Sequence, residues 1–251
     1  MDNVKLDELT RPEVQSLLNS GAVDTVVITI GSTEQHGLHL PLGTDALLAD
    51  AAGEGLAKGL GKALLAPPIR VGCSDHHMAF SGTISIRVET LAHILSDYVG
   101  SLARHGFKNI VIIPTHGGNF RPLASIVGAL RAANPQVNIV AYTDLGSFMK
   151  VMYRASGEFE VSPEASGGHA GESETSMILA LRPELVQMDR AVPGYVGTTE
   201  STPSAVFAQG IDALNADGII GDPCSATAEK GRVYLQRLVD HLEDIIRPQL
   251  K

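Results

Sequence analysis

Short apolar runs alternate with longer amphipathic stretches along this chain. Thr25-Val26-Val27-Ile28-Thr29-Ile30 is β-branched and mostly apolar, so it predicts a strand buried on both faces. Ala63 to Ala66, stopped by Pro67-Pro68, Asn109 to Ile113, stopped by Pro114, and Val137 to Tyr142 predict three more strands. Thr44 to Lys58, Val88 to Arg104 and Phe120 to Ala133 read as the helices between them. In the second of these, Leu91, Ile94, Leu95, Tyr98, Val99 and Leu102 recur at helical spacing on one face. Leu6 to Asn19, Glu174 to Leu181 and Thr227 to Ile246 predict further helices. Strands alternating with helices imply βαβ units. The expected fold is therefore α/β, with a mainly parallel central sheet flanked by helices on both faces, in one domain over residues 1–251. Ser156 to Gly171 and Gly194 to Asp222 have no clear period, and loops that long usually cover a site or mediate assembly.

Composition narrows the function classes. Hydrophobic residues make up 44% and charged residues 19% of the 251, enough apolar surface for a full core. No run of 18 or more apolar residues predicts a membrane span, and the N-terminal residues lack the basic-then-apolar pattern of an export signal. The expectation is a cytoplasmic protein whose Cys73 and Cys224 are free thiols. A net charge of -9 without a basic stripe argues against nucleic acid as a partner, while a small-molecule substrate remains open. Tryptophan is absent, so no site can rest on stacked indoles.

In sheets of this kind ligands bind beyond the carboxyl ends of the strands. Ionisable residues collect there beside glycines. Gly31-Ser32-Thr33-Glu34-Gln35-His36-Gly37 follows the first strand and leads to Asp45, and Pro114-Thr115-His116-Gly117-Gly118-Asn119 follows the third. Glu34 and His36 are two apart, so in an extended segment they face the same way. Such mixed oxygen and nitrogen donors suit Zn2+, Mn2+ or Fe2+, and an Asp carboxylate can bridge two ions. A lone Glu-x-His is a weak signal; two such loops at neighbouring strand ends are a stronger one. A third cluster runs from His169 to Ser176. Ser173 and Glu174 could simply open a helix, but His169 is a candidate general acid or base, and Glu172 or Glu174 could complete a metal shell. Asn119 is a candidate cap for the helix at Phe120, His39 a structural residue, and Glu229-Lys230 a solvated helix face.

Four segments together resemble the creatinine amidohydrolase (creatininase) family: Gly31 to Asp45, His77 to Ser85, His116 to Asn119 and His169 to Ser176. Order and spacing agree from about Val23 to Leu181, with Ser81 where the family usually carries proline. The resemblance implies a two-metal hydrolase, often hexameric. Glu34 and His116 would hold one divalent ion, His36 the other, and Asp45 would bridge them. His169 would transfer the proton, and His77 would meet the substrate. Ser74, beside substrate or a metal-bound water, and Gly117 are further candidate substrate contacts.

Two departures qualify that likeness. Creatinine-cleaving members carry His-Tyr-Glu-Asn where this chain has His116-Gly117-Gly118-Asn119, so one carboxylate ligand is missing. Glu172 is the expected replacement, with Glu174 either a ligand or a catalytic hydrogen-bonding partner. Those members also close tryptophans over their flat substrate, and this chain has none. The expected reaction is metal-assisted hydrolysis of a small cyclic amide or formamide. The alternatives are C–C cleavage of a cyclic 1,3-diketone such as an oxidised inositol, trimming of a small peptide, or a binding module without catalysis.

Overall fold

The computed structural model describes residues 3–197 and 202–251. Strands β1 (Thr25–Ile30), β2 (Ala63–Leu65), β3 (Asn109–Pro114) and β4 (Asn138–Ala141) form one parallel sheet in the order β2-β1-β3-β4. β1 and β3 lie centrally and every residue of both is buried, which is why their sequences show no polar alternation.

Side chains alternate between the two faces of the sheet. Val26, Ile28, Ile110 and Ile112 pack with Leu91, Leu95 and Val99 of α3 (Val88–Arg104) and Leu123 of α4 (Phe120–Ala133). Val27, Val111 and Ile113 face the other layer. That layer is built from α2 (Thr44–Leu60), α5 (Leu145–Gly157), α7 (Glu172–Leu181) and α9 (Ala228–Ile246). The α/β expectation is thus met as three layers.

Two elements differ from the pattern-based reading. The first helix begins at Arg11, not Leu6: α1 spans Arg11–Ser20, and Leu6–Glu8 is a separate 3-10 turn. Thr10 sets that start, because Glu13 Oε2 accepts its backbone N–H at 2.7 Å, and Pro12 sits within the first turn. α5 lies outside the expected elements altogether. Asp144 opens it, its Oδ1 accepting from Ser147 N at 2.9 Å, and Phe148, Val151, Met152 and Ala155 form its buried face. The two long stretches without period carry the short helices α6 (Pro163–Ser166) and α8 (Thr202–Gln209). Residues 198–201 of the second stretch lie outside the described residues. No helix among the described residues is long and apolar enough to cross a membrane.

Sheet register positions the site. Ile30 pairs with Pro114, so β1 and β3 end at the same level and their loops leave side by side. The chain passes from β1 to β2 on one side and later to β3 on the other, which makes the β1/β3 end a topological switch point. The first turn of α2 presses directly onto this end. A Cβ at Gly31 would lie 2.7 Å from Ala46 Cα and 2.8 Å from the Asp45 carbonyl carbon, so only glycine permits the contact. Replacing Gly31 with Ala should therefore destabilise the protein by about 1–3 kcal/mol in urea unfolding. A change within about 0.5 kcal/mol, the usual range for an unconstrained position, would contradict this packing.

Candidate metal centre

Five of the site residues come from the loops that the register brings together or from helix starts facing them. Glu34 and His36 follow β1, Asp45 stands in the first turn of α2, His116 follows β3, and His169 precedes α7. The Thr115 hydroxyl donates to the Asp45 carbonyl at 2.9 Å and ties the two loops. His169 is held by an antiparallel bridge, with Ile220 N donating to its carbonyl at 2.8 Å. All five are buried.

Their polar atoms converge. His116 Nδ1 lies 3.1 Å from Glu34 Oε1 and 3.3 Å from Asp45 Oδ2. The other Asp45 oxygen, Oδ1, lies 3.7 Å from His36 Nε2, which is 3.8 Å from Glu174 Oε2. Three overlapping groups could hold a cation: Glu34 with Asp45 and His116, His36 with Asp45 and Glu174, and Glu34 with His36 and His169. Asp45 offers one oxygen to each of the first two. Ligands about 2.0–2.1 Å from a tetrahedral ion stand roughly 3.3 Å apart, close to this spacing. Glu34 Oε1, His36 Nε2 and Asp45 Oδ2 are buried without any hydrogen-bond partner. Orphaned buried donors and acceptors are costly and rare, and three pointing at one space fit a cation.

The imidazoles are oriented from behind. A backbone carbonyl can only accept, so each nitrogen facing one carries the proton. His116 Nε2 donates to the Cys73 carbonyl at 3.2 Å, His36 Nδ1 to the Glu34 carbonyl at 3.1 Å, and His169 Nε2 to the Gln35 carbonyl at 2.8 Å. Each therefore turns a lone pair inward in its neutral form, the arrangement typical of metal-binding histidine.

The ionisable groups of the cluster also shift one another's proton affinity. Burial opposes the imidazolium of His36, but Asp45, Glu174 and Glu34 outweigh it and hold its pKa at about 9. His116 is likewise raised, Glu34 and Asp45 overcoming burial. Burial would raise Asp45, yet His36 and His116 hold it below the usual carboxylate range. Glu174, its side chain 17% exposed, is pushed up to about 7 by burial, with the Asp45 charge adding to it against His36. His169 is held well below 6.5, by burial first and His36 second.

The other expected residues fall as follows. Ser74 is buried, its hydroxyl 2.6 Å from that of Ser32, which donates to Glu34 Oε2 at 3.1 Å; it braces Glu34. His77 Nδ1 lies 3.1 Å from the Gln35 side-chain amide, a donor, so its Nε2–H faces Glu34 Oε1 at 3.3 Å. Gly117 lines the cleft above the cluster.

Glu172 requires a correction. Its carboxylate points away from the cluster, accepting from Tyr234 OH at 3.1 Å and Ser176 Oγ at 2.9 Å, with Lys230 Nζ 3.2 Å away. Residues two apart on a helix are turned by about 200°, so Glu172 faces α9 while Glu174 faces His36. The α7 carboxylate that faces the cluster is Glu174. Lys230, expected on a solvated face, is half-buried against Glu172. Ala170, at φ 51, takes a left-handed conformation that lets its N–H reach Glu174 Oε2. Asn119 precedes α4 but makes no side-chain cap. Its Oδ1 accepts from Cys73 N at 3.0 Å and its Nδ2 donates to the Gly31 carbonyl at 3.0 Å, joining the two loops. His39 is buried against Thr175 Oγ1, as a structural residue should be. Cys73 and Cys224 are both free thiols.

Three participants were not marked as site residues by the sequence: Gln35, Ser32 and His76. Gln35 lies between two stronger candidates, Glu34 and His36. His76 stacks on His116 with ring centroids 5.5 Å apart. Its Cε1 would be 2.8 Å from a Cβ at Gly118, so it fills the space a side chain there would need.

The family model for creatinine amidohydrolase matches residues 7–246. The Mycofactocin precursor peptide peptidase of Mycobacterium ulcerans is 35% identical over 86% of this chain and 82% of its own. The 3-dehydro-scyllo-inosose hydrolase of Thermotoga maritima is 28% identical over 89% of this chain and 77% of its own. A solved structure described as Creatininase Mn superposes with a TM-score of 0.79 and 27% identity over 99% of both chains. The chain belongs to the creatinine amidohydrolase family and is a hydrolase.

Two outcomes test the centre. His36 and His116 must lose protons to bind a cation, so Mn2+ affinity should rise with pH by roughly tenfold per unit or more between about pH 6 and 8. Calorimetry in buffers of different ionisation enthalpy should show proton release; pH-independent affinity would contradict the assignment. Glu174→Gln should weaken Mn2+ binding at least about tenfold. Glu172→Gln should keep the stoichiometry and instead cost about 1–3 kcal/mol of stability. The reverse pattern would restore Glu172 as the ligand.

Proposed function

We propose that this member of the creatinine amidohydrolase family holds two divalent ions, Zn2+, Mn2+ or Fe2+, and hydrolyses a C–N amide bond of the peptide type. The observation that carries the reading is Asp45, whose two carboxylate oxygens face two separate sets of buried ligands. Two ions there would lower the pKa of a water from 15.7 towards about 7 and polarise the substrate carbonyl.

The chain's own residues do the rest. His169 keeps its Nε2 proton on the Gln35 carbonyl, so Nδ1 is the atom free to act inside the cluster. It takes a proton from the attacking water and passes it to the amide nitrogen as the C–N bond breaks. His77 presents an Nε2–H toward Glu34 and the cluster, where it orients Glu34 or a substrate oxygen. Glu174, rather than Glu172, serves with His36 and Asp45 at the second ion. Ser32 and Ser74 hold Glu34 in place.

The amide of a peptide is favoured over a small lactam or formamide because the 35% identical relative is named as a peptide peptidase. A homo-oligomer, hexameric as in the family, accords with exposed Leu38, Leu42, Met78 and Ile84 on segments that meet at the Thr33–Ile84 bridge.

Short peptide amides incubated with the Mn2+- or Zn2+-loaded protein should be cleaved, and a chelator should stop the reaction. Asp45→Ala should abolish it with loss of metal. His169→Ala should keep its metal and lower kcat by about 10²–10⁴-fold. Creatinine should be turned over well below about 1 s-1. Chelator-resistant cleavage, or full activity in His169→Ala, would contradict the proposal.

A further inference from the structure

The cleft above the metal cluster has a chemical bias of its own. One side is the cluster itself, Asp45, His116, His169 and Glu174. The cleft's apolar lining comes from Leu145, Phe148, Met149 and Met152 of α5 and Met177 of α7, with Phe207 of α8 against His76 and the hydroxyl-bearing Tyr153 and Tyr195 also on the cleft. No lysine or arginine lines it among the described residues, and Glu164 supplies a further negative charge. An anionic substrate group would enter this wall without a cation to meet it, at considerable cost in desolvation. An apolar group would gain by leaving water. Methionine is flexible and polarizable, so a wall holding three of them adapts to branched, linear or aromatic shapes.

We infer that this wall is a specificity pocket for a bulky uncharged apolar side chain on the residue adjoining the scissile amide. Leucine, methionine and phenylalanine side chains fit that chemistry; glycine gains nothing from the wall, and aspartate or glutamate is repelled. The inference rests on the proposed amide hydrolysis at the metal cluster and adds which amide is chosen. Its geometric basis is continuity: the apolar wall and the metal ligands line one cleft, so a substrate held by its carbonyl at the cluster extends its neighbouring side chain along α5. Met149 is the most informative position, because it is partly exposed on the cleft face of a helix whose buried anchors are Phe148, Val151, Met152 and Ala155. A change there alters the wall without emptying the core.

Hydroxamates bind such metal centres through their headgroup whether or not the enzyme cleaves anything, so they separate pocket from reaction. We expect the Zn2+-loaded protein to bind phenylpropanohydroxamate at least about tenfold more tightly than acetohydroxamate in calorimetry. Met149→Lys should bring that ratio close to one, and Met149→Leu should keep it. In the hydrolysis assay, peptide amides with phenylalanine or leucine beside the scissile bond should exceed those with glycine or aspartate by a similar factor in kcat/KM. Equal affinity for the two hydroxamates, or an undiminished ratio in Met149→Lys, overturns the pocket and leaves the hydrolase reading intact. Tail preference without any amide cleavage supports the pocket and overturns the proposed reaction. Failure of both hydroxamates to bind overturns the metal reading and the pocket with it.

Discussion

The alignment of two strand ends governs this molecule. β1 and β3 run parallel in a register that stops both at the Ile30–Pro114 pair. Their loops must then leave together, one bearing Glu34 and His36 and the other His116. Asp45 joins them because α2 starts against Gly31, where a side chain would push it away. Without that register these side chains would belong to separate loops with no common centre. The pattern is the general one for open parallel sheets, where a change in strand order leaves a crevice at the carboxyl ends. Here it is filled with ionisable groups instead of a glycine-rich phosphate loop.

Gathering those groups out of water is costly, and the chain offsets the cost in two ways. Three histidines give their outward nitrogens to backbone carbonyls, so their orientation is fixed before anything binds. The carboxylates of Glu34 and Asp45 lie against imidazoles that hold protons more tightly than usual in the metal-free state. A divalent cation bound there would compete with protons for the same lone pairs. Gln35 is central to this economy. Its carbonyl accepts from His169, its side-chain amide lies 3.1 Å from His77 Nδ1 and 3.3 Å from the Gly218 carbonyl, and its Oε1 accepts from Gly37 N at 2.9 Å. One residue between Glu34 and His36 holds the shape of the loop that presents them.

Much of this was legible in the residues. β1 and β3 announced themselves because strands buried on both faces are continuous apolar runs, and α3 and α4 because one face of each is apolar. Glu34, His36, Asp45 and His116 stood out because polar groups at the ends of such strands have few structural reasons to be there. Other features were hidden for physical reasons. α5 lies among residues whose apolar face serves the cleft as well as the core, so its pattern was broad. Glu172 was preferred to Glu174 because chemistry alone cannot tell two carboxylates apart; helical phase can, since a turn of about 200° sends them to opposite sides. Tyr234 and Lys230 lie on a distant helix, so no local motif could reveal that Glu172 was already satisfied. Asn119 sits where a cap is expected, but its side chain serves a contact 46 residues away in sequence, beyond any local rule.

The central claim is that Asp45 bridges two cations held by different partners. Anomalous diffraction from crystals grown with Mn2+ tests it most directly. The account predicts two peaks about 3.5–4 Å apart, one among Glu34, Asp45 and His116 and the other among His36, Asp45 and Glu174. A single peak, no peak at Asp45, or a peak beside Glu172 would contradict it.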